Sequence, residues 1–191
     1  SVFMAEMKYG PIGSWDTKDV KDMNSLFKDK QKCNPPIGTW DVSSVVDFSS
    51  MFENAYEFNQ PLDNWDVSSA TLFQRAFANA KSFDQPLASW DTSKVVTTSR
   101  MFLNAQVFNQ NLNSWDMTSV TDVFAMFSHC KLYNQPMNSW DVSNIQLFGE
   151  FLNEASAYNQ DLSSWKLASS PPGNSPKMFF HSAMCPAHDD D

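Results

Sequence analysis

Glycine occurs only five times in this chain of 191 residues, and cysteine and histidine three times each. That scarcity closes off several chemistries. The chain has no Walker loop, no dinucleotide fingerprint, no G-x-S-x-G nucleophile turn and no H-E-x-x-H run. His129, His181 and His188 are scattered, so no acid–base pair is visible. The chain is expected to be no enzyme and to need no cofactor. Basic side chains are few as well: 13 Lys and Arg stand against 22 Asp and Glu, a formal net charge of −9. A polyanionic surface repels phosphate, which makes nucleic acid and anionic membranes poor partners. No apolar run approaches the ~18 residues of a membrane span. Ser1-Val2-Phe3-Met4 lacks the basic region and long apolar stretch of a secretory signal. An opening without an initiator Met reads as a processed product, which leaves a removed targeting peptide open.

What the chain does have is aromatic volume in a fixed rhythm. Hydrophobic residues make up 42% and aromatics 14%, ample for a packed core. All seven tryptophans fall at 15, 40, 65, 90, 115, 140 and 165, each twenty-five residues after the last. A spacing held to the residue means one unit copied and stacked. The expected fold is an α/β repeat solenoid with about seven coils of a short helix plus a short extended strand.

The template within one unit carries that expectation. Val45, Phe48, Met51/Phe52, Ala55 and Phe58 recur every three or four residues, the period of one helical face. Ser43 or Ser44 is placed as the cap, with Asp47 completing a capping box. Asn59-Gln60-Pro61 ends the helix, and Phe58 through Leu62 to Trp65 is expected to be the extended side, with one short strand or bridge per coil. Residues 1–165 form the repeat domain. Its partial first unit is 1–14, where Ala5 aligns with Ala55 and Pro11-Ile12 with Pro61-Leu62. After Trp165 the pattern degrades: Lys166 replaces the usual Asp, and Pro171-Pro172-Gly173 interrupts the unit. Residues 166–191 are read as a degenerate C-terminal cap and acidic tail.

The string Phe-Asn-Gln-Pro-Leu-x-x-Trp-Asp-Val-Ser, near-complete at 58–68 and 133–143, resembles a surface-protein repeat of about this length. That family occurs in mycoplasma lipoproteins, other bacterial surface proteins and many microalgal proteins. The resemblance covers roughly residues 5–170 and implies a leucine-rich-repeat type of solenoid and a surface or interaction role. It brings no catalytic residues to carry over. The copy departs from the pattern at Cys33-Asn34-Pro35-Pro36 and where Asn111 and Asp161 replace Pro.

Several columns invite a site. Asp16, Asp41, Asp66, Asp91, Asp116 and Asp141 each follow a Trp. They are read as acceptors for backbone N–H groups, with a row of cation sites as the competing reading. The Asn59, Asp84, Asn109, Asn134, Asn159 and Gln60, Gln85, Gln110, Gln135, Gln160 columns are read as structural ladders, with glycan binding as the alternative. Cys33, Cys130 and Cys185 are expected to be reduced thiols facing the core, too far apart to pair. His181, Cys185 and His188 have the spacing of metal ligands but no evident fourth ligand, so no metal is assigned.

A departure from the repeat carries the residue-level claim. Glu57 and Ser82 are followed in register by Val107, Leu132 and Ala157; Glu53 is replaced by Leu103 and Ser49 by Phe124. At helical spacing these would gather as an apolar patch on the helical side. Leu103, Val107, Phe124 and Leu132 are therefore the expected contact with a protein partner. The function expected is a noncatalytic protein–protein interaction or structural module, surface-displayed or an accessory subunit of a larger assembly such as one on an algal organellar membrane. The alternative is a carbohydrate- or cation-binding protein using the Asp/Asn/Gln ladder face. Cell surface or extracellular space is the expected location, with a peripheral place in a plastid as the alternative.

Overall fold

The structure, a computed structural model, describes residues 7–167. Within them no repeat contains a helix. Helical backbone is confined to residues 7–9 and to the 3-10 turn Ile12–Ser14 before the first tryptophan. No strand forms either; there are only isolated parallel bridges. The expected α/β leucine-rich-repeat solenoid, one helix and one strand per coil, is thus overturned. Each 25-residue unit is a circuit of linked turns laid against the next unit.

The second unit shows why the helix reading fails. Phe48, Ser50, Phe52 and Asn54 donate their N–H groups along the stack to the carbonyls of Leu72, Gln74, Ala76 and Ala78 at 2.8–2.9 Å. Met51, Glu53, Ala55 and Phe58 instead close turns onto carbonyls three residues back, at 3.0–3.1 Å. Alternate amides therefore point along the stack and around the circuit, whereas a helix sends all of them along its own axis. Ser50 (φ 55) and Asn54 (φ 61) take left-handed backbone, as do Ser25 and Asp29, Arg75 and Asn79, and their counterparts in later units. Two such residues four apart reverse the path twice, which no α-helix of L-residues allows. Successive three-residue turns bring Val45, Phe48, Met51, Phe52, Ala55 and Phe58 inward at the spacing that a helical face would show.

The bridges also fall on the side where the helix was expected. They link Asp22, Asp47, Leu72, Thr97, Asp122 and Leu147 in succession, all parallel. The segment from Phe58 to Trp65 makes none. Pro61 has no N–H to offer, and the Asn59 amide is taken by a side chain, the Oδ1 of Asn34 at 2.9 Å. Ser43, expected as a cap, donates its hydroxyl to Asp41, and Asp47 accepts the amide of Ser49 at 2.7 Å.

Stacking places each core residue on its own copy. Phe52, Phe77, Phe102 and Phe127 form one column with ring centroids 5.2–5.7 Å apart. Phe58, Phe83, Phe108, Tyr133 and Tyr158 form a second at 5.9–6.1 Å. The indoles form a third, with Trp65, Trp90 and Trp115 at 6.5 and 6.2 Å. Each buried indole spends its one donor across units: Trp90 Nε1–H reaches Leu62 O at 3.0 Å and Trp115 reaches Leu87 O at 2.9 Å. Near-parallel offset rings add to their area burial. The core is thus continuous along the stack.

Candidate interaction surface

The polar columns turn out to be occupied with holding the units together. Asn59 Oδ1 accepts from the Asp84 amide and Gln85 Nε2, both at 3.0 Å. Asp84 Oδ1 does the same for Asn109 and Gln110 at 2.9 and 2.8 Å, and Asn109 and Asn134 continue the series. The Asp that follows each Trp closes a local turn. Asp41 Oδ1 accepts from the Ser43 amide and hydroxyl at 3.1 and 2.6 Å, and Asp116 does so from Thr118 at 2.9 and 2.6 Å. The hydroxyl and then the amide of Ser43, Ser93 and Ser143 hold the Asp41, Asp91 and Asp141 carboxyls below their ordinary pKa. These aspartates turn the chain without any helix to cap. Among the described residues, no three His, Cys, Asp or Glu side chains converge as a metal cage would require.

A further ladder escaped the sequence reading. Asn54 donates its amide to Asp29 at 2.6 Å, Asn79 to Asn54 at 2.8 Å, and Asn104 to Asn79 at 2.7 Å. Its signal was present: asparagine at 54, 79 and 104 in strict register, the residue type that tolerates left-handed backbone best after glycine.

The four apolar residues expected at a partner contact do not form a helical face, because there is no helix. Val107 and Leu132 occupy one position of adjacent units and are exposed, Leu132 by 53%. Leu103 and Phe124 are only half-buried, and the Arg100 guanidinium lies over the Phe124 ring at 4.6 Å. The column through Val107 and Leu132 begins with Glu57 and Ser82, so it changes from polar to apolar along the stack. Sequence reasoning missed a second exposed group beside the bridges: Val46 and Val96 share one position, and Leu147 is next to it in register. A helix reading pointed these residues elsewhere; a bridge reading would have set them outward.

Cys33 is half-buried, and Cys130 is buried with its Sγ–H donating to Phe102 O at 2.8 Å; both are free thiols. Burial raises the pKa of each, with Lys30 opposing the shift at Cys33. His181, Cys185 and His188 lie outside the described residues, as does nearly all of the expected 166–191 cap. No helix among the described residues is long and apolar enough to cross a membrane.

The family model described as "Mycoplasma protein of unknown function, DUF285" matches residues 1–111 and 86–187. No curated protein and no solved structure matches the chain.

Proposed function

The chain belongs to that Mycoplasma family, DUF285, and from this premise we propose that it is a noncatalytic protein-interaction or structural module. The observation that carries the reading is the pair Val107 and Leu132, exposed apolar side chains in adjacent units at a position occupied by Glu57 and Ser82 in earlier ones. Contiguous apolar surface favours a partner over water. Leu103 and Phe124 flank that reading as half-covered neighbours in the register. The ladder side chains support it indirectly, since their hydrogen-bonding atoms serve the neighbouring unit and offer little to a glycan. Membership of a Mycoplasma family is compatible with display at a surface; a peripheral place on an organellar membrane complex is the alternative setting.

Replacing Val107 and Leu132 together by Glu tests it. Both side chains face solvent in the isolated chain, so the fold should survive, as Glu57 survives at the same position. Pull-down from the native source followed by titration of the captured protein should show binding weakened at least about tenfold, because each carboxylate must be desolvated on docking. Unchanged affinity with an intact fold would place the partner on another face.

A further inference from the structure

The segment that runs through the bridge and the two left-handed residues, 45–57 in the second unit, changes its charge from unit to unit. In the second unit it holds Asp47, Glu53 and Glu57 and no cation; in the sixth, at 145–157, it holds Glu150 and Glu154 and no cation. Between them, segments 70–82, 95–107 and 120–132 hold Arg75, Lys81, Arg100 and Lys131 against Asp122 alone, in a chain of net charge −9. Arg75 and Arg100 are the only arginines of the chain. Asp122 is engaged by the Phe124 amide at 2.8 Å. Among the described residues the ion pairs are Lys18–Asp16 and Lys28–Glu53, so none of the four cations has a carboxylate partner.

The stack does not need the two guanidinium groups. Arg75 and Arg100 support it through their amides, which reach Ser99 O and Phe124 O at 2.9 and 2.7 Å. Ser50 and Ala125 fill the same left-handed position in the units on either side. Arg100 lies over the Phe124 ring at 4.6 Å and Lys81 over the Tyr56 ring at 4.4 Å. Along the circuit the arginine pair and the lysine pair flank one register position, held by Ala78, Leu103 and Ser128. Ala78 and Ser128 are buried, Leu103 is half-buried, and exposed Val107 and Leu132 stand next to the lysine margin. Apolar surface thus lies between two cationic margins.

Resting on the reading of Val107 and Leu132 as a partner surface, we propose that the protein partner docks there with a short acidic segment. Its carboxylates sit on Arg75 and Arg100, and apolar side chains beside them cover Leu103, Val107 and Leu132. Charge complementarity selects this occupant. A guanidinium offers paired N–H donors that match a carboxylate in two-point contact, and the lysine margin attracts the same sign of charge. The extent of the face excludes larger polyanions. On this side the third, fourth and fifth units follow one another at 5.6 and 5.7 Å, the reach of about four extended residues. Glu57 before it and Glu150 after it repel any anionic surface that continues past those units, as a membrane or a nucleic-acid strand does.

Selection of a random peptide library on the full chain tests this. The enriched peptides should carry an excess of Asp and Glu beside apolar residues. Titration of one such peptide should show affinity that falls with added salt. Arg75→Ser with Arg100→Ser should weaken it at least about tenfold while leaving the near-ultraviolet circular dichroism of the indoles unchanged, since Ser50 already fills that position. Lys81→Glu with Lys131→Glu, at exposed sites, should weaken it as well and serves if the arginine variant misfolds. Val107→Glu with Leu132→Glu should also release the peptide. Peptides that depend on Val107 and Leu132 yet carry no acidic excess, or that ignore both charge variants, would overturn the acidic-segment proposal and leave the partner surface standing. Acidic peptides indifferent to Val107 and Leu132 would overturn both. Failure to enrich any peptide, or tighter capture of phosphatidylserine vesicles or a single-stranded oligonucleotide through the arginines, would likewise overturn the proposal.

Discussion

In residues 45–57 of the second unit the backbone is the main link to the neighbouring units, with the Asn54 side chain beside it, whereas in residues 58–69 side chains alone make the link. The first half sends six main-chain hydrogen bonds across units, from the amides of Val46, Phe48, Ser50, Phe52, Asn54 and Glu57. The second half has no backbone bond across units. It relies on the Asn59 and Gln60 side chains, the Trp65 indole and, in other units, hydroxyls such as Ser89 Oγ to Asp63 O at 2.7 Å. The spacing of rings follows this division. Columns beside the backbone ladder repeat at 5.1–5.7 Å, as in Phe48–Phe73 and Phe102–Phe127. The Phe83–Phe108 and Trp65–Trp90 pairs on the other side stand at 6.0 and 6.5 Å.

The difference also governs which positions vary. At the first left-handed position, where only the backbone makes the bond, side-chain identity is free: Ser25, Ser50, Arg75, Arg100, Ala125 and Glu150 follow in turn. Where side chains make the bond, the bonding group is kept: Gln60, Gln85, Gln110, Gln135 and Gln160 are identical, and Asn59, Asp84, Asn109 and Asn134 all present a side-chain oxygen. Val107 and Leu132 lie on the backbone-linked half, at the position of Glu57 and Ser82, whose amides reach the carbonyls of Gln31 and Tyr56 in the unit before.

The comparison can be broken most forcefully at the indole column. Trp90→Ala removes a ring stacked on Trp65, Trp115 and Phe73 and strands the Leu62 carbonyl. The expected loss is about 3–5 kcal/mol in denaturant unfolding. An unchanged midpoint would mean that the backbone half holds the stack by itself. Asn109 gives a smaller effect. Its Oδ1 accepts from the Asn134 amide at 2.9 Å and from Gln135 Nε2 at 3.1 Å, so Asn109→Ala should cost about 1–3 kcal/mol. Asn109→Asp should stay within about 0.5 kcal/mol of the parent at neutral pH, because Asp84 already performs that task one unit earlier. Equal losses in both variants would show that the amide nitrogen, rather than the oxygen, is the bridging atom. The smallest effect is on the backbone half and has the opposite sign. His129 is exposed with φ 60, and His129→Gly should raise stability by about 0.5 kcal/mol, because relief of left-handed strain outweighs the chain entropy of glycine. Destabilisation by this change would mean that the His129 side chain, and not its backbone, supports the ladder.

Much of the architecture was legible in the chain, but unevenly. The register came directly from Trp15 through Trp165, since a fixed-period residue whose ring must stack on its own copy cannot shift by one position. The Asn/Gln ladder was legible for the same reason. The local conformation was not. Val45, Phe48, Phe52, Ala55 and Phe58 satisfy helical periodicity, yet they satisfy a series of three-residue turns equally well, and the pattern continues through Leu62 and Trp65 where Pro61 forbids a helix. That continuation was the available clue. The candidate surface residues fared likewise: the polar-to-apolar change from Glu57 and Ser82 to Val107 and Leu132 could be read from the sequence, while the cover of Arg100 over Phe124 could not.

The sequence by itself determined the repeat length, the identity of the stacked columns and the residues that bridge units by side chain. These depend on chemical identity at fixed intervals, which a string of letters records in full. The tertiary structure alone decided that each unit runs as linked turns with two left-handed residues. That choice rests on main-chain N–H groups finding acceptors twenty-four residues away. Such bonds involve atoms that every residue carries, so nothing in the side chains announces them until the neighbouring unit is in place.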